Sequence, residues 1–481
     1  MTVRRRDVVG ARGGPSDLWL IFAGCVAAAD VGFAAALVGP MVVVALALLL
    51  AVALCAYRPV AATYIYLATL PFVAGFERGA IPLVRPNEAL LLLVLAGAAL
   101  GAYARGLAGA PLRIRFRPSI DVPLAAFVLL STIWPLTSML VRGEAPQQDE
   151  VLAVFPVCKL AALFLLVRMT VLDTRQLLRV VRIIVWTGVG IALIAIAQTL
   201  KVPPVLDFLS AYSPDEQASE IAARGSTTFA SSIATGDVIT IGLVLVVACG
   251  VRGILGRPER LVAGLVLGAG VLAAGQFSTW ISAVIAAALI LHQYPQLRRQ
   301  AVRFVPVVGI AVLVGAPAFI ARLASFGEGY GVPRSWLGRW DNLSSFYLPP
   351  LVDDGGFLIG ISPDSVLTAP ETWRETIYLE SGYLQLLWVG GLPLLAGFIW
   401  LSIAVLRRAA ELARRPDALG ACGSTLLIAW TMVIILSVID PHLFLRGTGD
   451  LLFALLAVAS GPLDQAGVTS MAIDNPPEAP P

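Results

Sequence analysis

Charge is scarce in this sequence. Asp, Glu, Lys and Arg make up 14% of its 481 residues, against about 25% in soluble domains, and 58% of the chain is apolar, which excludes a string of soluble globular domains. Lysine is scarcer still: Lys159 and Lys201 are the only two, and the other 32 basic residues are arginine. A net charge of +3 implies no nucleic-acid partner. Cysteine is present without pattern. Cys25, Cys55, Cys158, Cys249 and Cys422 lie in or beside apolar stretches with no CxxC pair, so buried free thiols are expected rather than disulfides or a metal site. No convincing internal repeat of the inverted kind expected in many transporters is visible.

What the sequence has is hydrophobic length. Apolar segments run over 18–37, 40–57, 59–76, 88–104, 122–141, 151–171, 183–200, 235–251, 261–275, 277–292, 304–320, 381–406, 419–439 and 449–462. At about 1.5 Å per residue the stretch 261–292 would make one helix of about 48 Å, too long for hydrocarbon about 30 Å thick. Breaks are therefore predicted at Gly275-Gln276 and, by the same reasoning, at Gly39-Pro40. The expected fold is an all-α polytopic membrane helix bundle of 12–14 transmembrane helices with a large extracytoplasmic loop. Its divisions are a cytoplasmic segment 1–17, a bundle 18–320 with an outer loop 201–237, the large loop 321–380, C-terminal helices 381–462, and a cytoplasmic tail 463–481. The run from Leu18 reads as a retained span rather than a signal peptide, and the polar, proline-rich tail as disordered.

Arginine placement tests this layout, because short cytoplasmic loops are enriched in basic residues. With the N-terminus inside, 23 basic residues fall inside, ten fall outside, and Lys159 lies within a span. Acids concentrate outside, 20 of 31, so outer arginines run against the trend. Arg224, Arg322, Arg334, Arg339 and Arg374 are thereby the first candidates for function. Within the spans Asp30 and Lys159 are ionisable at mid-depth, where a charge costs about 2.5–3.5 kcal/mol, and they are expected to face the interior. Local satisfaction of each charge, or pairing with one another, is one reading, and a proton or ion path is the other.

The first outer loop ends in Arg224-Gly225-Ser226-Thr227-Thr228-Phe229-Ala230-Ser231-Ser232, whose small hydroxyl residues at a helix start suit an anion site with Arg224, or an ordinary cap. The second carries Gly338-Arg339-Trp340, then Gly355-Gly356-Phe357-Leu358-Ile359-Gly360. It closes with Tyr378-Leu379-Glu380-Ser381-Gly382-Tyr383-Leu384, which leads into Gly390-Gly391-Leu392-Pro393. The last outer turn holds Asp440-Pro441-His442 and Arg446; His292 sits at an inner end. Trp336, Trp340, Tyr347, Trp373 and Tyr378 offer faces for sugar stacking or anchors at the interface.

Taken together, the segments over roughly 220–400 resemble the O-antigen ligase and polymerase family of bacterial envelope glycosyltransferases. The resemblance implies a multi-pass protein of the bacterial plasma membrane, both termini cytoplasmic and the large loops outside. It implies an undecaprenyl diphosphate-linked glycan as donor, a sugar hydroxyl of a glycan acceptor, and no metal or cofactor. The lipid bilayer and other polysaccharide-export proteins are the remaining partners it suggests. Arg224 and Arg339 would pair with the leaving diphosphate, and Glu380, standing where the family has histidine, would be the base. Arg334, Arg374, Arg446, His442 and Tyr383 would bind substrate. Ser381 replaces the family's asparagine and Thr279 an arginine, which shifts the expectation from ligase toward polysaccharide polymerase. A ligase that attaches finished glycan, and a lipid-linked oligosaccharide flippase, are the alternatives.

Overall fold

The computed structural model describes residues 41–76, 83–109, 116–212, 225–299, 334–353, 355–368 and 376–463. The first helices are α1 (Met41–Tyr57), α2 (Val60–Val73), α3 (Pro86–Leu107) and α4 (Pro118–Val141). A short α5 (Gln148–Ala153) runs into α6 (Phe155–Thr170), followed by α7 (Thr174–Thr199) and a short α8 (Pro203–Ser210). A 3-10 turn at Thr227–Phe229 leads into α9 (Ser232–Val251), α10 (Arg257–Ala273) and α11 (Phe277–Gln293). The next segment holds α12 (Arg334–Asn342), a π turn (Leu343–Tyr347), α13 (Leu348–Val352), α14 (Gly356–Ile359) and an antiparallel pair, β1 (Val366–Thr368) with β2 (Thr376–Tyr378). Three helices close the chain: α15 (Gly382–Ala413), α16 (Ala418–Leu436) and α17 (Thr448–Ser460).

Among the described residues, seven helical runs are long and apolar enough to cross a membrane, and four shorter apolar helices accompany them. The protein is an all-α polytopic bundle. Of the fourteen predicted segments, 18–37 and 304–320 lie outside the described residues, and the others fall on helices. The break predicted at Gly275 is present, with φ +64, and separates α10 from α11. Helix starts follow local chemistry. Asp173 accepts from the Gln176 amide at 2.8 Å and Asp417 from the Gly420 amide at 2.9 Å, while proline occupies the first turn of α3, α4, α6, α8 and α10.

The interior is built on α9, α16 and α17. Every residue of α17 is buried, and α9 and α16 are apolar nearly all round, the pattern of helices enclosed by others. The helix α9 packs on α7, α10, α11 and α16, whereas α17 lies against α6 and α16. Buried free thiols are found at Cys55, Cys249 and Cys422; Cys158 is exposed on α6, and Cys25 lies outside the described residues.

One end of the bundle gathers the starts of α9, α11, α15 and α17 with the ends of α2, α4, α7 and α16. The opposite end carries arginines tied to backbone. Arg252 donates to Arg415 O at 2.9 Å and Ala413 O at 2.7 Å, and to the Ser424 and Tyr294 hydroxyls. An ion pair, Arg168–Asp121, joins the end of α6 to the start of α4.

The described parts of 334–380 form a cap over the first end. It has its own small core of Tyr347, Leu351, Ile377 and Leu379 around Trp388 of α15, with Tyr347 and Trp388 edge to face at 5.1 Å. The cap is seated on a kink. Gly391 interrupts α15 at φ +66, two residues before Pro393, and a side chain on it would meet the Leu358 and Ile359 backbone at 2.6 Å. Gly360 (φ +88) stacks just as closely on Val389 and Gly390. Trp134 from α4 donates to Ile359 O and Gly390 O, both at 3.1 Å, and Arg142 donates to Gly360 O at 2.6 Å and to Ile361 O. The Gly390-Gly391 pair is thus a close-packed joint between cap and bundle.

Candidate active site

Under the cap lies an open cavity of about 260 Å³, where α12 meets the start of α15 and the turn after α16. Arg339 and Glu380 form its polar wall; Trp340, Tyr378, Leu384 and Val438 are among its other walls. Arg339 is carried by α12 and reaches across to form an ion pair with Glu380, the residue that precedes the cap of α15. Its Nη2 also stands 3.4 Å from Asp440 Oδ1. Both guanidinium and Glu380 are about one-third exposed, so the pair is reachable from solvent, while Asp440 is almost fully buried.

Asp440 and His442 are set by a tight turn. Pro441 takes φ −79 and ψ 58, the inverse γ conformation, and the His442 amide donates to Asp440 O at 2.8 Å. The turn sends Asp440 toward Arg339 and His442 inward. His442 Nδ1 lies 2.7 Å from Asp237 Oδ2, with both side chains fully buried. Asp237 also accepts from the Thr448 hydroxyl at 3.2 Å and the Ser282 hydroxyl at 3.4 Å, so the buried carboxylate is satisfied from three elements. Burial pushes the Asp440 carboxyl above its ordinary value, with Asp237 adding to the rise and Arg339 and His442 opposing it. For His442 burial works downward, but the Asp237 carboxylate, its hydrogen bond and Asp440 prevail and raise the imidazole above its ordinary value.

The structure brings Arg339 and Glu380 together and adds Asp440; His442 sits directly beneath. Arg224 and Arg374 lie outside the described residues, as do Arg322, Trp373 and the side chains of Arg334 and Trp336. Arg446 is elsewhere on the same end, donating to Gly75 O at 2.6 Å. Tyr383 faces α16, its hydroxyl donating to Ile434 O at 2.7 Å. Trp340 and Tyr378 present exposed rings beside the ion pair, whereas Tyr347 is spent in the cap core. His292 is at the opposite end, beside Gln293 and Arg414.

Lys159 is satisfied locally, one of the readings its position allowed, and two other sequence expectations need correction. The partner of Lys159 is Asp450, with Nζ 2.9 Å from both carboxylate oxygens, and Tyr66 donates to the same group at 2.8 Å; Asp30 lies outside the described residues. Asp237 is no loop residue, because α9 starts at Ser232 and carries it into the core. The hydroxyl cluster at 226–235 is no open anion cradle. Thr227 and Thr235 bond each other at 2.8 Å, Thr228 donates to Pro71 O at 2.5 Å, and Gln198 clamps Ser226 and the Thr227 amide. Thr227 pays for this packing with φ +52, a strained setting for a β-branched residue. At the position where the resemblance expects arginine, Thr279 is fully buried against Gly236, where a Cβ would already collide.

Sequence reasoning missed Asp237, Asp450 and Arg142 as working residues, and underrated Asp440. The signal for Asp237 and Asp450 was available: each is a lone acid at the head of an apolar run. No family model matches the chain, and no curated protein matches it.

Proposed function

We propose that the chain is a bacterial envelope glycosyltransferase, a polysaccharide polymerase of the O-antigen ligase-like type, working on the outer face of the plasma membrane. The observation that carries this reading is the Arg339–Glu380–Asp440 cluster at the mouth of a cavity between cap and bundle. Such a site suits a donor whose lipid stays in the bilayer while its diphosphate and sugars reach the rim.

In the reaction the bond between the anomeric carbon and the diphosphate oxygen breaks, and its electron pair leaves with undecaprenyl diphosphate. A bond forms from the acceptor hydroxyl to that carbon, and the hydroxyl proton goes to a carboxylate. Arg339 presents a planar, permanently charged fork matched to phosphate oxygens, where charge grows in the transition state. Glu380 neutralises that fork in the ion pair. A diphosphate competes for the guanidinium, and its arrival releases the Glu380 carboxylate to accept the incoming proton. Asp440 keeps one edge of the guanidinium anchored during the exchange. Trp340 and Tyr378 supply apolar faces for sugar rings.

Deleting the gene and analysing envelope glycans tests the reading. Single undecaprenyl-linked repeats on the outer face are expected. Long unattached chains would instead indicate a ligase, and repeats trapped on the inner face a flippase.

A further inference from the structure

A second cavity, larger than the one under the cap, lies at the arginine-rich end of the bundle, where α11 and α15 flank α16. It encloses about 570 Å³, within the range of about 300–1,000 Å³ usual for small-molecule sites. Its lining changes with depth. Leu289 of α11 and Leu427 and Ile428, in the third turn of α16, form its apolar part, and His292, Gln293 and Arg414 stand at the helix ends. No acid lines it. At this end of the bundle Arg252, Arg408 and Arg415 are tied to backbone carbonyls or to a carboxylate, whereas Arg414 and His292 make no hydrogen bond or ion pair among the described residues. Gln293 donates from Nε2 to Ser424 Oγ at 2.9 Å and leaves Oε1 buried without a partner among the described residues. An acceptor left so is costly and uncommon, and a donor on a bound molecule satisfies it.

We propose that this crevice binds one anionic phospholipid with a hydroxyl-bearing headgroup, of the phosphatidylglycerol kind. The phosphate lies against Arg414 and His292, a headgroup hydroxyl donates to Gln293 Oε1, and the start of an acyl chain runs along Leu289, Leu427 and Ile428. Charge and shape select the occupant. A guanidinium pairs with phosphate oxygens, and no carboxylate is at hand for the cationic end of a zwitterionic headgroup. Choline also lacks a donor for Gln293. Soluble phosphate meets the charge but leaves the apolar wall wet. Basic pockets between helices suit acidic headgroups, and the arginines of this end add to the attraction. The crevice lies on α15 and α16, whose other ends lead to Glu380 and Asp440, so a lipid held there joins α11 to the helices that frame the cavity under the cap. The site does not depend on the glycosyltransferase reading.

Native mass spectrometry of the full-length chain in micelles, titrated with phosphatidylglycerol or phosphatidylcholine of the same acyl length, reads the retained lipid. One phosphatidylglycerol is expected to stay bound where phosphatidylcholine occupancy is lower by about tenfold or more, the worth of one hydrogen bond to a charged group. Arg414→Gln is expected to bring retention down to the phosphatidylcholine level. Arg257→Gln, which changes an exposed arginine at the same end that does not line the crevice, is expected to leave it unchanged. Equal retention of the two lipids, or equal loss in the two variants, overturns the proposal, because either reveals surface charge alone. Phosphatidylmethanol has the same charge and no hydroxyl, so it is expected to be retained several-fold less; retention equal to that of phosphatidylglycerol overturns the Gln293 contact. Leu427→Trp fills the apolar part and is expected to expel the lipid with Arg414 intact, and full retention overturns the acyl placement. Melting temperature is a second readout. Phosphatidylglycerol is expected to raise it in the wild type and in Arg257→Gln but not in Arg414→Gln. Inorganic phosphate and glycerol 3-phosphate at millimolar concentration are expected not to displace the lipid, and displacement overturns the lipid assignment in favour of a soluble phosphate. A wild type that retains no phosphatidylglycerol, the result when another part of the chain fills the crevice, overturns the proposal outright.

Discussion

Lys159 and Asp450 meet inside the bundle with Nζ 2.9 Å from each carboxylate oxygen, the lysine on α6 and the aspartate on α17. Tyr66 closes the arrangement from α2. Breaking a buried pair by removing one partner leaves an uncompensated charge, at a cost of about 3–5 kcal/mol. Lys159→Met and Asp450→Asn are therefore each expected to lower the melting temperature strongly. Combined, they are expected to lower it by much less than the sum. Additive losses in a double-mutant cycle would show that the two residues act separately.

Glu380 and Arg339 give the most direct catalytic prediction. Removing a general base lowers rates by roughly 100- to 10,000-fold. Glu380→Gln is expected to lower polymer by that order with protein level unchanged, because glutamine keeps the shape but cannot take the proton. Arg339→Lys keeps the charge but loses the fork, so it is expected to bind lipid diphosphate more weakly while folding normally. Chain-length profiles of the surface glycan check both, and normal chains in Glu380→Gln would reject the base assignment.

How much of this was legible beforehand follows the physics of each feature. The helices could be read because a membrane span needs length and apolarity, which composition alone reveals. Arg339 and Glu380 could be picked out because an outer arginine runs against the local charge trend and the carboxylate stands at a span boundary. Asp237 was lost to a boundary error: a helix start displaced to Ser232 turns a loop acid into a core acid. The serine and threonine run at 226–235 misled because, away from water, every hydroxyl must find a partner, and these find one another and backbone carbonyls. The β1–β2 pair is too short to signal itself and exists because Tyr347 and Trp388 give it something to pack on.

The raised values of Asp440 and His442 predict how stability depends on pH. Each group binds its proton more tightly folded than unfolded, so the folded state carries more protons across the interval between the two values. Stability therefore falls as pH rises, first above the ordinary carboxyl value of 3.8 for Asp440, then above the ordinary 6.5 for His442. Melting temperature measured from pH 5 to pH 9 is expected to decline through the upper interval. In Asp237→Asn, which removes the main cause of the His442 rise, that decline is expected to flatten. A wild-type protein that gains stability over this range would contradict the sign.

The joint at Gly391 makes the last prediction, because there the cap depends on a single missing side chain. At φ +66 and ψ −159 the backbone is in a region that only glycine occupies comfortably, and any Cβ would meet the Leu358 and Ile359 backbone at 2.6 Å. Strain of this kind costs on the order of 1–3 kcal/mol before the collision is counted. Neither neighbour can yield, since the Ile361 amide donates to Trp388 O at 2.6 Å and Trp134 pins both Ile359 O and Gly390 O. Gly391→Ala is therefore expected to lift the cap rather than unfold the bundle. Limited proteolysis would find new cleavage within 334–380 while α9, α16 and α17 stay protected. Polymer would fall with it, because the cap carries Arg339 and the cavity under it loses a wall. A Gly391→Ala protein with an intact cap and full chain length would show that the joint is not what holds the site together.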